Sequence, residues 1–459
     1  MNAAPTRWYH ELNRYHWFVL IVAALGWLFD TMDQQLFNLA RAPAMNELLA
    51  PAPGVAPDPK DVGFYGGIAT SIFLIGWATG GLGFGVLGDR IGRVKTMLWT
   101  ILLYSLFTGL SAFSVGFWDF ALWRFLTGLG VGGEFAVGVS LVAEVMPDRA
   151  RVHALGLLQA LSAVGNISAA LIYLAMGKIE AAGGLEGLGT SEQPLQAWRA
   201  MFLVGTVPAL LAILIRRRLK EPERWQAAAS EDSGKKRLGS YSELFGDPVW
   251  RRNALVGMFL AFSGIVGLWG IGFFSFDLFR SVFTKQFEAA GMAPDEIKSN
   301  VAFWISMTSI LQNIGGFLGI WAYSRITPLI GRRPAFAISF VLAMLSTAMV
   351  FGYMDDRSQV FWMIPIMGFC QLSLFGGYAI YFPELFPTRL RSTGTSFCYN
   401  VGRYVAAIGP YTFGYLTSTI FADRPEPMRY AGVAMCSIFL LGLVVLPFAP
   451  ETKGKPLPE

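Results

Sequence analysis

Twelve stretches of about twenty or more mostly apolar residues run through this chain, and they leave it few ways to fold. A bilayer core about 30 Å thick takes roughly 20 apolar residues as a helix. Backbone groups in lipid must bond within their own segment, so apolar runs of that length are helices. On this ruler the first six spans fall at roughly 16–41, 62–87, 94–113, 117–145, 152–177 and 198–217. After a polar stretch come six more, at roughly 253–283, 300–324, 334–354, 359–383, 393–420 and 429–449. The expected fold is an all-α membrane protein, with twelve transmembrane helices in two pseudo-symmetric six-helix bundles. Residues 1–217 form the first bundle, 218–250 a cytoplasmic linker, and 251–459 the second bundle with a cytoplasmic tail.

Composition points the same way. Hydrophobic residues make up 54% of the chain and charged residues only 15%, where a soluble domain carries about 25% charged. A soluble enzyme, a nucleic-acid binder and a disordered chain are excluded. The first apolar segment is longer than a signal-peptide core and contains Asp30 and Asp33, so it reads as a retained helix. Cys370, Cys398 and Cys436 sit in apolar spans without ligand spacing. No disulfide framework, metal site or cofactor is expected. There is no phosphate-binding loop, triad pattern or metal spacing, which argues against catalysis. His10, His16 and His153 lie at or outside the membrane ends.

The net charge of +5 is explained by topology. With a cytoplasmic N-terminus, cytoplasmic segments collect 24 of the 36 Lys and Arg residues, and the linker is dense in them (Arg216, Arg217, Arg218, Lys235, Lys236, Arg237). This is the positive-inside bias, and it puts both termini in the cytoplasm of a cell-membrane protein.

Two echoes between the halves suggest a fused repeat. Gly85-Val-Leu-Gly-Asp89-Arg90-Ile-Gly92-Arg93-Val-Lys95 follows the second span, and Tyr323-Ser-Arg325-Ile-Thr-Pro-Leu-Ile-Gly331-Arg332-Arg333 follows the eighth. Glu144-Val-Met-Pro147-Asp-Arg149-Ala-Arg151 follows the fourth, and Glu384-Leu-Phe-Pro387-Thr-Arg389-Leu-Arg391 follows the tenth. The Gly85–Lys95 turn resembles the signature loop of the major facilitator superfamily. Arg124-Phe-Leu-Thr-Gly-Leu-Gly through Glu144, the stretch Glu221-Pro-Glu-Arg-Trp225 and Pro450-Glu-Thr-Lys-Gly454 resemble motifs of its sugar-porter-like branch. That branch includes organic-anion, aromatic-acid and other metabolite carriers.

The loop charges Asp89, Arg93, Glu144, Arg149, Arg325, Glu384, Arg389 and Arg391 have two readings. They can be topogenic charge, or an ion-pair lock that holds the cytoplasmic side of the two halves together. The resemblance implies the lock.

Charges inside the bilayer cost at least about 2.5–3.5 kcal/mol and usually face a cavity. Asp30 and Asp33 share a face of the first helix, where two repelling carboxylates suit a reversible proton site. Asp33 and Arg124 match, by resemblance, the branch's proton-coupling pair. Glu134, ten residues beyond Arg124, either relays protons or pairs with a neighbouring helix. Arg403 offers a planar fork suited to a carboxylate, either that of a cargo or that of Glu384 or another acid in the second half. An Arg at a similar place in organic-ion and aromatic-acid carriers is associated with anionic cargo. Asp277 and Arg280, three apart, are expected to pair with each other. Substrate contacts are expected from Arg403, Gln34, Asn38, Gln312, Asn313, Tyr378, Tyr404 and Asn400, with Gln35, Trp269, Phe273 and Tyr381 as further lining candidates.

The seventh span carries no amide where true sugar porters have a Gln-Gln pair. The first span reads Asp30-Thr-Met-Asp33 where aromatic-acid symporters read Asp-Gly-Tyr-Asp. The expected function is proton symport of a small organic anion by alternating access, working as a monomer in the lipid bilayer with no nucleic-acid partner. Proton-coupled sugar or polyol uptake is the alternative, and a non-transporting receptor is a third reading.

Overall fold

The computed structural model describes residues 8–51, 55–185, 195–230 and 237–459. Lys235 and Lys236, and the side chains of Arg216 and Phe273, lie outside the described residues. Among those described there is no strand.

Twelve membrane helices follow in order. α1 is Arg14–Leu48, α2 Pro59–Arg90, α3 Arg93–Ser111, α4 Phe117–Val145 and α5 Asp148–Ala181. α6 is Ala197–Val204 continued by Ala209–Arg218. α7 is Pro248–Ile265 and Phe273–Ala289, joined by a π-helical stretch, Val266–Gly272. α8 is Pro294–Ile330, α9 Arg332–Tyr353 and α10 Val360–Tyr381. α11 is Arg391–Ala406, extended by Gly409–Tyr415, and α12 is Pro427–Met435 with Ile438–Val445.

Eleven of these are long and apolar enough to cross a membrane. The exception is α11, whose first sixteen residues include Arg391, Asn400 and Arg403 together with six Ser, Thr and Tyr. Its polarity has a structural reason. The segment is packed almost entirely inside the protein, against α2, α4, α7 and the turn Phe382–Leu385, and not against lipid.

Helix ends outrun the apolar windows because capping continues past the bilayer. Asn13 caps α1 by accepting from the His16 N–H at 2.8 Å. The expected unbroken span at 393–420 is instead divided beyond Ala406, next to Pro410, and ends in a π-helical stretch, Leu416–Ile420. Gly270 in the α7 π-segment faces this break, since a Cβ on Gly409 would lie 3.2 Å from the Gly270 Cα. Irregular helix turns occur at functional sites because they re-aim side chains.

Small residues let the helices touch backbone to backbone. A Cβ on Gly80 would lie 2.0 Å from the Leu129 carbonyl, and one on Gly132 would lie 2.0 Å from that of Trp77, so α2 and α4 interlock. The second half repeats the device: Gly319 meets the Phe369 carbonyl and Gly368 that of Gln312, joining α8 to α10. The halves meet along two seams. α2 lies on α11, with Gly81, Gly85 and Gly88 against Asn400, Ser396 and Ser392. α5 lies on α8, with Asn166 donating to Asn313 at 2.8 Å.

Candidate functional site

At the end of the molecule that carries the repeated turns, the halves are tied together. Asp89, the last acid of α2, reaches across to the start of α11. Its carboxylate accepts from the Ser392 N–H at 3.1 Å, the Thr393 N–H at 2.8 Å and the Thr393 hydroxyl at 2.6 Å. These are the orphan donors of a helix N-terminus, so one half supplies the cap for a helix of the other. Arg93 holds Asp89 at 2.8 Å and Glu144 at 2.8 Å, and donates across the seam to the Thr388 carbonyl at 2.7 Å. Glu144 is shared with Arg391 of the opposite half at 2.9 Å. All four charged side chains are buried, where such bonds are short and strong.

The second half mirrors part of this network without crossing the seam. Arg332 binds Glu384 at 2.7 Å, and Thr452 donates to Glu384 at 2.5 Å. Glu451 accepts from the Arg332 and Arg333 N–H groups at 2.9 and 3.0 Å, just as Glu221 accepts from Val94 and Lys95 at 3.1 Å each. Each carboxylate caps a helix that begins after a glycine with positive φ: Gly92 at 112° and Gly331 at 97°. A Cβ on Gly92 would lie 2.2 Å from the Glu221 Oε1, so glycine is required twice over.

Two residues expected in the lock are elsewhere. Arg149 pairs with Glu11 at 3.2 Å and is largely exposed. Arg325 is exposed, with its guanidinium over Trp321. Arg332 takes the place expected for Arg325, because the glycine before it sets the helix start as Gly92 does for Arg93. Arg389 is tied to the linker residue Glu243 at 2.7 Å.

The other end is open. A cavity of about 2000 Å³ runs inward from the loops that join α1 to α2, α3 to α4 and α7 to α8. Gln34, Gln35, Asn38, Gln312, Asn313, Trp269 and Arg403 line it. So do Trp77, Phe375 and Tyr399, which the sequence alone did not single out.

Arg403 is the one charge of the deep wall. Its guanidinium carbon sits 4.0 Å from the centre of the Trp77 ring and 4.3 Å from that of Tyr399, one ring from each half. Its Nη1 donates to the Tyr399 carbonyl and to the Asn400 Oδ1 at 3.2 Å. Nε and Nη2 have no partner among the described residues. These two nitrogens form one edge of the guanidinium plane, the edge that grips a carboxylate with two parallel bonds.

Tyr378, Asn400, Tyr404 and Tyr381 stand off the cavity wall. Tyr378 is buried, donates to the Leu260 carbonyl at 2.8 Å and stacks on Phe382. Tyr381 donates to the Pro450 carbonyl at 2.7 Å. Asn400 spends its amide on Ser396 of its own helix and, across the seam, on the Gly132 carbonyl. Tyr404 bonds Thr79 at 2.9 Å. Each polar tip is already satisfied, so none needs a ligand.

The acids of the first half also lie behind the wall. Asp30, Asp33, Arg124 and Glu134 are at most 1% exposed, inside the bundle formed by α1, α3, α4 and α6. Asp33 Oδ1 accepts from Thr108 at 2.5 Å, while Oδ2 faces Arg124 Nη1 at 3.8 Å. That is a stretched pair whose two facing atoms have no other partner. Arg124 is otherwise held by Ser111 at 2.7 Å and Thr127 at 2.9 Å, with the Phe202 ring against it. Glu134 accepts from Thr100 at 2.7 Å, leaving Oε1 free. Asp30 accepts a long bond from Gln34 at 3.5 Å and is within electrostatic reach of Arg403.

Asp277 and Arg280 line the cavity in exposed positions and do not close an ion pair on each other. Arg41 of α1 stands in electrostatic range of each. Among the described residues no cluster is placed to hold a metal ion.

Comparison with known proteins places this geometry in context. Residues 23–410 match the family model described as Major Facilitator Superfamily. The chain is 29% identical to a putative metabolite transport protein of Haemophilus influenzae, over 98% of this chain and 99% of that one. It is 28% identical to the cis,cis-muconate transport protein of Acinetobacter baylyi, over 77% and 78%. Among solved structures it is similar to the proton:xylose symporter XylE bound to 6-bromo-6-deoxy-D-glucose. The TM-score is 0.74 and the identity 18%, with 96% of this chain and 98% of that chain covered.

Proposed function

This chain belongs to the Major Facilitator Superfamily of membrane transporters, and from that premise we propose that it carries a small organic anion, a carboxylate, by proton symport. The observation that carries the reading is that Arg403 lines the deep cavity while the edge formed by its buried Nε and Nη2 has no partner among the described residues. Trp77 and Tyr399 clamp the guanidinium plane and fix which way that edge points. A buried guanidinium with two idle donors lacks an acceptor, and a carboxylate supplies two oxygens at the right spacing. The muconate transport protein among the relatives supports an organic acid.

The basic end is taken as cytoplasmic, with both termini there, and the cavity then opens outward. Residues 1–217 and 251–459 act as the two moving bodies and 218–250 as their linker, within a monomer. The anion enters from outside and settles on Arg403. A proton taken by Asp33 cancels its attraction for Arg124 across the 3.8 Å gap, freeing α1 to move against α4. Asp30 and Glu134 extend the buried acidic set through which protons pass. Opening of the cytoplasmic side requires Asp89 to leave the start of α11 and Glu144 to part from Arg391. Proton and anion binding together supply the energy for that step.

A second reading has one observation in its favour. Gln34, Gln312 and Asn313 on the wall are suited to hydroxyl groups, so a sugar or polyol would also find partners. Uptake into proteoliposomes separates the two. The anion reading expects carboxylate uptake that is driven by an inward proton gradient and abolished by Arg403→Ala. It expects Asp33→Asn to retain exchange while losing gradient-driven accumulation. Uptake blocked by neutral sugars and not by carboxylates selects the second reading. Carboxylate uptake indifferent to both the gradient and Arg403→Ala contradicts the first.

A further inference from the structure

The segment after Gly454 has no part in the account so far, yet it ends inside the lock. Gly454 turns the chain at φ +71°, and Lys455 N–H bonds back to the Thr452 carbonyl at 3.1 Å. The root of the segment is fixed to the second half: Thr452 to Glu384 at 2.5 Å, and Lys453 Nζ to the Leu329 carbonyl at 2.7 Å. From there it runs to Leu457, only 4% exposed, and Pro458, whose carbonyl accepts from Arg391 Nη2 at 3.0 Å.

Arg391 is the side chain that crosses to Glu144. Its guanidinium is fully buried and has a partner on every side: Glu144 and Thr388 on Nη1, the Pro383 carbonyl on Nε, and the Pro458 carbonyl on Nη2. A buried guanidinium without acceptors for its donors is costly, so each acceptor helps decide where the group sits. Pro383 and Pro458 come from the same half as Arg391 and hold it from behind. Only Glu144 comes from the other half.

We propose that segment 455–459 is a positioning strap: Leu457 anchors it, and the Pro458 carbonyl holds Arg391 aimed at Glu144, so that seating the strap favours the closed cytoplasmic side and unseating it favours opening. The proposal rests on the alternating-access reading given above. It makes Leu457 a control point outside both the cavity and the buried acids. Proline has no N–H of its own, so its carbonyl is its only backbone hydrogen-bonding group, and here it accepts from the lock.

The test uses the full chain with Cys370, Cys398 and Cys436 replaced by Ser and one reporter at a time. Ser392→Cys reports the cytoplasmic side, because its hydroxyl is buried at the α2–α11 seam without a partner among the described residues. Gly67→Cys reports the open mouth, where it lines the cavity and a Cβ meets nothing within 4 Å. Leu457→Asp should raise the thiol-labelling rate at the first reporter about tenfold, the scale of a lost buried leucine, and lower it at the second. Leu457→Met should leave both rates unchanged. Unchanged labelling in Leu457→Asp overturns the strap, and so does a rise at both reporters, which would signal loosened packing. Failure of the alternating-access reading looks different. There, in a separate chain with Leu457 intact and both reporters present, bulky modification of Gly67→Cys would fail to change labelling at Ser392→Cys.

Discussion

Replacing Asp89 by Asn tests the cross-half cap with little change of shape. In the closed state the carboxylate accepts three bonds from the start of α11 and sits against the positive end of that helix. An amide keeps one acceptor oxygen and turns the other position into a donor that faces donors. Hydrogen bonds to charged groups contribute about 1.5–3 kcal/mol each, and the helix-end interaction adds about 0.3–1 kcal/mol. Arg93 is not left unpaired, because Glu144 and the carbonyls of Gly88 and Thr388 remain. The net loss to the closed state is therefore at least about 2 kcal/mol, roughly a 30-fold shift toward opening at the basic end. Spin labels at Lys95 and Arg325, both exposed at the basic end, read this as a distance distribution. The variant should add a longer distance that is minor in the native protein. An unchanged distribution in a folded variant would refute the cap as a determinant of closure.

Two further outcomes follow from the same geometry. Gly92→Ala should lower the melting temperature in detergent by several degrees, since it strains a φ of 112° and pushes Glu221 off its N–H groups, at a cost of at least about 1–2 kcal/mol. Gly83→Ala, where a Cβ meets nothing, should leave it unchanged. Glu451 is partly buried, which raises its pKa, but the N–H groups of Arg332, Arg333 and Lys453 and the Arg332 charge outweigh that and hold the carboxyl below the ordinary range. Its contribution to stability is thus full above the ordinary Glu value and fades as pH falls through the lower folded value. Glu451→Gln should therefore lower the melting temperature at neutral pH, with the difference from the native protein closing in acid.

The spans and their grouping were legible because lipid selects for apolar length, and that signal is local. Asp33 and Arg124 were each legible for the related reason that charge in a membrane stands out, and the resemblance to the sugar-porter-like branch implied that they pair. What escaped was orientation. Arg325 and Arg332 look alike in a basic turn, and only the positive-φ glycine before Arg332 marks it as the counterpart of Arg93. That cue was present in the sequence as Gly-Arg in both repeats. Tyr378 and Asn400 looked like cavity residues because they are polar inside spans. Their partners are backbone carbonyls on other helices, which no local pattern announces. Trp77 and Tyr399 were hidden for the opposite reason: aromatic residues are common in helices, and their clamp on Arg403 exists only when α2 meets α11. The break in α11 was missed because the apolar window runs straight through it.

The central claim is that Arg403 recognises a carboxylate, and a matched pair of ligands tests it most directly. Binding of a carboxylate and of its neutral primary amide can be compared by calorimetry on the purified protein, at pH values where the acid is ionised. Two charge-assisted bonds to a guanidinium predict a preference for the carboxylate of about 10- to 100-fold, or about 1.4–2.7 kcal/mol. Arg403→Gln should reduce that preference to near unity. Equal binding of acid and amide by the native protein, or a preference that survives Arg403→Gln, would contradict the account.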